Sequence, residues 1–98
     1  MNIVLAPRAR QELANQLGYL IDKGAITAAR RLEQRLTSYI TNTLSRFPRS
    51  GNYITHRALW ECWVPGTRLI VWYRFTTEEM QIVRVWHSAQ DRSDLIDD

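Results

Sequence analysis

At 98 residues the chain has room for one domain and one core, spanning 1–98, because chains divide into several domains only well above that length. Its 45% of hydrophobic residues supply a modest core, yet no run approaches the roughly 20 apolar residues that cross a bilayer, which excludes a membrane-spanning helix. The net charge of +3 is carried almost wholly by arginine, with Lys23 the one lysine, and it turns the surface toward acidic partners, nucleic acid or protein, without choosing between them.

Residues 2–6, NIVLA, read as a short strand, and Pro7 then suits the first turn of a helix, where its missing N–H costs nothing. In PRARQELANQLGYLID the apolar residues Ala9, Leu13, Leu17, Leu20 and Ile21 recur at helical spacing, and Gly24 is the expected stop. A second helix is predicted from about Thr27 to Arg46, with Ala29, Leu32, Leu36, Tyr39, Ile40, Thr43 and Leu44 in one stripe. Phe47-Pro48 ends it, because the residue before a proline avoids helical backbone. The short Lys23-Gly24 link makes the pair an antiparallel hairpin.

PRSGNYITHR reads as a loop, and the apolar period then changes to two. Residues 59–64, 68–75 and 80–86 are predicted strands joined by PGT and TTEE turns. The order β-α-α-β-β-β predicts an α+β fold: a short N-terminal strand, the helical hairpin, and a three-stranded antiparallel meander with both helices on one face of the sheet.

Alternation assigns the faces. In 68–75, Leu69, Val71, Tyr73 and Phe75 form the core side, and Arg68, Ile70, Trp72 and Arg74 point away. An unpaired buried guanidinium is costly, so the arginines are expected opposite the helices. The same rule sends Arg84 outward with Ile82 and Trp86, leaving Val83, Val85 and His87 toward the core, and it requires an odd loop or a bulge near TTEE. In 59–64, Glu61 goes outward with Leu59 and Trp63, and Trp60, Cys62 and Val64 go inward. The expected open face therefore gathers Arg68, Arg74, Arg84, Trp63, Trp72 and Trp86 around Glu61. Tryptophan and arginine are the residue types enriched at binding hot spots; internal cation–π packing, or cover by the C-terminal tail, would account for them equally.

Candidate chemistry is sparse. Cys62, His56 and His87 lack zinc-ligand spacing and a fourth partner, and the glycines at 18, 24, 51 and 66 form no phosphate loop, so no metal and no cofactor are expected. Cys62 inside a strand is a poor nucleophile, Ser88 has no evident base, and a lone cysteine fits a reducing compartment. The N-terminus lacks a basic segment and a long apolar one, so no signal peptide is expected and the cytoplasm is the expected location.

Four stretches, LAPRARQELANQLGYL, AARRLEQRLTSYITNTLSRFPRSG, PGTRLIVWYRF and IVRVWHSAQDR, taken in this order, resemble the RelE/ParE toxin superfamily of bacterial type II toxin–antitoxin pairs. The FPRSG link and the RVWH strand end are similar to the ParE-like branch in particular. The resemblance implies either of two activities: ParE-like members poison DNA gyrase, and RelE-like members cut mRNA on the ribosome. Either kind is neutralised by a cognate antitoxin, which implies a toxin–antitoxin hetero-oligomer.

RNA cleavage through the 2′-hydroxyl needs a base, an acid and cations around the phosphorane. Of the RelE-like set, Arg68 matches the third-strand arginine. The second-strand basic positions fall in LWECWV, which has no Lys or Arg, and the later basic and tail Tyr positions fall near Gln90 and Ile96. The reduced set for the ribonuclease alternative is Glu61, Arg68 and His87; the plainer reading of His87 is a strand end bonded to Asp91 or to backbone. For the gyrase poison the expected target-binding residues are Arg68, Trp72, Arg74, Arg84 and Trp86, with the tail 88–98 as a second region. The antitoxin is expected on Leu13, Leu17, Trp63 and Trp72, through apolar and acidic anchors on a helix or strand.

Overall fold

The computed structural model of the protein describes residues 1–89. Its elements are β1 (Asn2–Leu5), α1 (Pro7–Asp22), α2 (Ile26–Tyr39), β2 (Asn52–Ile54), β3 (Leu59–Trp63), β4 (Leu69–Phe75) and β5 (Glu79–His87). One five-stranded sheet has the order β1-β5-β4-β3-β2, with β1 parallel to β5 and every other pair antiparallel. The α+β meander under a helical hairpin is thus the one expected. The addition is β2, which forms inside the stretch read as a loop: Asn52, Tyr53 and Ile54 pair with Glu61, Trp60 and Leu59.

Pro7 opens α1 as expected. At its end Ala25 N donates to Leu20 O (2.8 Å) and Gly24 N to Ile21 O (2.9 Å). That pair of bonds closes a helix through a left-handed residue, and Gly24 at φ +78° is the residue type that takes this conformation without a Cβ clash. The second helix is α-helical only to Tyr39; Ile40–Leu44 form a π-helical turn, with Ser45 N bonded to Ile40 O at 2.9 Å. The stripe survives the change of pitch, since Ala29, Leu36, Ile40 and Leu44 are all buried.

The FPRSG link is fastened to the sheet. Tyr73 Oη donates to Pro48 O at 2.5 Å. A Cβ at Gly51 would lie 2.6 Å from Glu61 O and 2.7 Å from Tyr73 Oη, so only glycine lets the chain pass there.

The core under the helices joins Ala9, Leu36, Ile40 and Leu44 to Cys62, Val64, Leu69, Val71, Tyr73, Met80, Ile82 and Val85. The register explains a correction. Trp72 pairs with Arg84 but Tyr73 pairs with Ile82, so Val83 is an extra residue in β5. Ile82, expected outward, is therefore fully buried beneath the helices, and Val83, expected inward, packs on the other face. Arg84 is not on an open face either. Glu12 of α1 grips it: Oε1 accepts from Arg84 Nε at 2.9 Å and Oε2 from Nη2 at 2.7 Å. The same Oε1 accepts the Val85 N–H at 3.0 Å. Burial of a guanidinium is costly when it is unpaired, and a bidentate carboxylate removes that penalty.

Candidate functional site

The face of the sheet away from the main core carries its own cluster, Leu59, Ile70, Trp72 and Trp86, with Ile54 and Val83 against it. Trp72 (6% exposed) and Trp86 (1%) were expected on an open surface and are buried instead. Their rings meet edge to face, with centroids 6.1 Å apart at 82°. Glu61 is buried beside them and accepts a hydrogen bond from Trp72 Nε1 at 2.8 Å and another from Trp63 Nε1 at 3.4 Å. Arg57 places its guanidinium 5.0 Å from the Trp72 ring centroid. Among the residues expected to present themselves to a partner, Arg68 and Arg74 are exposed, and so is Trp63 at 55%.

The three residues of the reduced ribonuclease set do not converge. Arg68 and His87 line a cavity of about 290 Å³ on the helix side, between α1 (Gln16, Tyr19, Leu20) and α2 (Ala28, Leu32). Glu61 is on the opposite face, engaged with two indoles. His87 pairs with Leu69 across the sheet, and its Nδ1 accepts the Ala89 N–H at 3.0 Å. Asp91, its expected partner, and the tail from Gln90 onward, including Arg92 and Ile96, lie outside the described residues.

Cys62 is buried and its Sγ shares a hydrogen bond of 3.3 Å with the Tyr39 hydroxyl. Burial pushes the thiol up from its ordinary value. The bond to Cys62, followed by burial, pushes Tyr39 up to about 12, and burial does the same to Tyr73. A thiol held protonated in this way is a poor nucleophile at neutral pH. Among the described residues no group of three or more His, Cys, Asp or Glu is placed to hold a metal.

On the hairpin, Leu13 and Leu17 are half-buried. Leu13 packs on the main core. Leu17 instead lines an outer cleft of about 230 Å³ with Ile21, Ile26, Ala29, Arg30 and Glu33. Ile21 and Ile26 there are 51% and 57% exposed, an apolar opening of which the expected antitoxin contacts included only Leu17.

Two residues central to this arrangement, Glu12 and Arg57, have no signal in the sequence that would select them. Glu12 meets Arg84 across 72 positions. Arg57 sits in the short 3₁₀ turn Thr55–Arg57, inside what reads as a loop.

A family model described as the ParE toxin of the type II toxin–antitoxin system, parDE, matches residues 3–92. The chain belongs to the ParE toxin family. Among solved structures, it is similar to the chromosomal ParDE toxin–antitoxin system from P. aeruginosa, with a TM-score of 0.75 and 13% identity over 89% of this chain and 95% of that one. At that identity the likeness concerns the fold. No curated protein matches the chain. ParE membership makes the protein a type II toxin by family and gives it a cognate antitoxin as a partner. Among the described residues no helix is long and apolar enough to cross a membrane.

Proposed function

We propose that this ParE-family protein is the toxic component of its pair, that it acts in the cytoplasm by binding DNA gyrase rather than by cutting RNA, and that its antitoxin neutralises it by covering exposed apolar and arginine-rich surface. The observation that carries the choice is the separation of the reduced catalytic set. Glu61, on one face, is occupied by Trp72 and Trp63, while Arg68 and His87 share a cavity on the other. A general acid or base must reach the proton it moves, and groups on opposite faces of a sheet cannot flank one phosphodiester.

Division of labour follows from burial. Arg68 and Arg74 are exposed and are the residues we assign to direct target contact. Trp72 and Trp86 are buried on the face away from the main core and Arg84 is buried against Glu12 of α1, and in this reading the three hold the sheet's shape. For the antitoxin, the Leu17 cleft and the exposed Trp63 offer apolar anchor points, and the half-buried Leu13 and buried Trp72 support them from below.

Purified toxin added to a gyrase supercoiling reaction and to a translating extract tests the reading. Supercoiling should be inhibited while mRNA stays intact, and Arg68→Ala with Arg74→Ala should relieve the inhibition. Codon-spaced mRNA cuts with untouched gyrase would replace this reading by the ribonuclease.

A further inference from the structure

The FPRSG link and the end of β4 meet at an open cleft. This cleft of about 430 Å³ is lined by Phe47, Pro48, Arg49, Ser50 and Phe75. Phe47 is 63% exposed, an unusual position for a phenyl ring. On the Phe75 side the cleft is backed by a run of rings: Phe75 to Trp60 at 5.6 Å and Trp60 to Tyr53 at 5.3 Å between centroids, with Tyr53 itself 52% exposed. Arg46 and Arg49 flank Phe47 in the chain and both are exposed. Among the described residues neither makes an ion pair. Phe75 also lines the neighbouring cavity, where Glu78 and Glu79 stand with Arg74.

The cleft is also held in shape before anything binds. The segment behind Phe47 is anchored by the Tyr73 hydroxyl on Pro48 O and by the close passage of Gly51 against β3. An aromatic wall on a fixed loop loses little freedom on binding.

We infer that this cleft is a binding site for single-stranded nucleic acid, with one unstacked base entering between Phe47 and Phe75 and its neighbouring phosphates meeting Arg46 and Arg49. Flat apolar rings accept the face of any base, and guanidinium groups neutralise phosphate, which is the combination that single-strand binders use. A duplex does not fit the same description, because both faces of each base are already stacked. The site adjoins Arg74, one of the two residues assigned to gyrase contact, and it needs neither gyrase nor the antitoxin in order to be measured.

The test is fluorescence anisotropy of the full-length toxin with end-labelled oligothymidylate and oligouridylate of about twelve nucleotides at about 50 mM salt. Saturable binding is expected, weakening as salt rises, with Phe47→Ala and Arg49→Ala each reducing affinity about tenfold. Phe47→Trp should keep the affinity, and Arg31→Ala, on the exposed side of α2, should leave it unchanged. Because Phe47 is mostly exposed, Phe47→Ala should melt as the parent does, and a thermal scan checks this. The two oligonucleotides separate a DNA from an RNA preference. Equal affinity for duplex or for polyglutamate, binding of an acidic aromatic peptide in preference to either oligonucleotide, or full affinity in folded Phe47→Ala would each overturn the inference.

Discussion

The two faces of the sheet are built on different physics. The helix-covered face is mainly an aliphatic core, in which Leu36, Ile40 and Leu44 press on Val64, Leu69, Val71, Met80, Ile82 and Val85, with polar side-chain ties at Tyr73 and Cys62 within that cluster. The other face is a small patch whose members are oriented by polar contacts. Glu61 takes the Trp72 indole N–H, Arg57 lies over the same ring, and Trp86 meets it edge on. Aliphatic packing tolerates interchange of similar volumes, whereas an indole bound to a single carboxylate is fixed in direction. The first face therefore carries the fold, and the second sets the geometry of whatever the exposed Arg74 and Trp63 present.

The sharpest way to break that contrast is to remove a ring from the second face. Trp86→Ala should cost about 4 kcal/mol in chemical denaturation, comparable with a core truncation. A loss under ~1 kcal/mol would make this face a surface ornament. Leu36→Ala on the first face should cost about 3 kcal/mol, and a much smaller loss would mean that the stripe on α2 does not anchor the hairpin. Glu12→Ala, which removes the carboxylate that ties the hairpin to Arg84 and Val85 of the bulged β5, should also cost about 3 kcal/mol, because it breaks a buried charge pair. If Glu12→Ala melts like the parent, the grip on Arg84 is dispensable. Glu61→Ala should cost about 1–2 kcal/mol by stranding the Trp72 N–H, while changing indole fluorescence more than stability. An unchanged spectrum would show that the carboxylate does not orient the ring.

Raising the pH gives the last and mildest probe. Tyr39 and Tyr73, ordinarily near 10.0, are pushed up to about 12 in the folded protein. The folded state therefore holds these protons more tightly than the unfolded chain does. That contribution is complete below pH 10 and fades as the pH climbs toward 12. Melting temperature should fall over that window, and Tyr39→Phe should flatten the fall. An equal slope in the variant would place the loss elsewhere.

Legibility followed the range of the interaction. Pro7, Gly24 and Phe47-Pro48 act on their own neighbours, and the helix limits they predict are found within a few residues, apart from the π-turn that replaces the last α-helical turn. Strand alternation placed Leu69, Val71, Tyr73, Cys62 and Val64 on the helix side correctly. In β5 it required an odd loop or a bulge but could not place it, and the extra residue at Val83 exchanges the faces expected for Ile82 and Val83. It put Trp72 and Trp86 on the correct face, away from the main core, but did not give their burial, and it failed for Arg84. The arginine was expected outside because an unpaired buried guanidinium is costly, and its partner, Glu12, was distant; Glu61 likewise reaches the Trp72 indole from another strand. The reading of Glu61 as an acid or base failed to anticipate that two tryptophans would claim it.

The sequence by itself determined the order of elements, the hairpin, the main core and, through FPRSG and RVWH, the toxin family. Each of these depends on propensity, periodicity or turn chemistry that acts over a few residues. Only the tertiary structure decided which charges and rings are buried. The cost of burying them depends on whether a partner arrives from elsewhere in the chain, and in this protein Glu12 reaches Arg84 from 72 residues away.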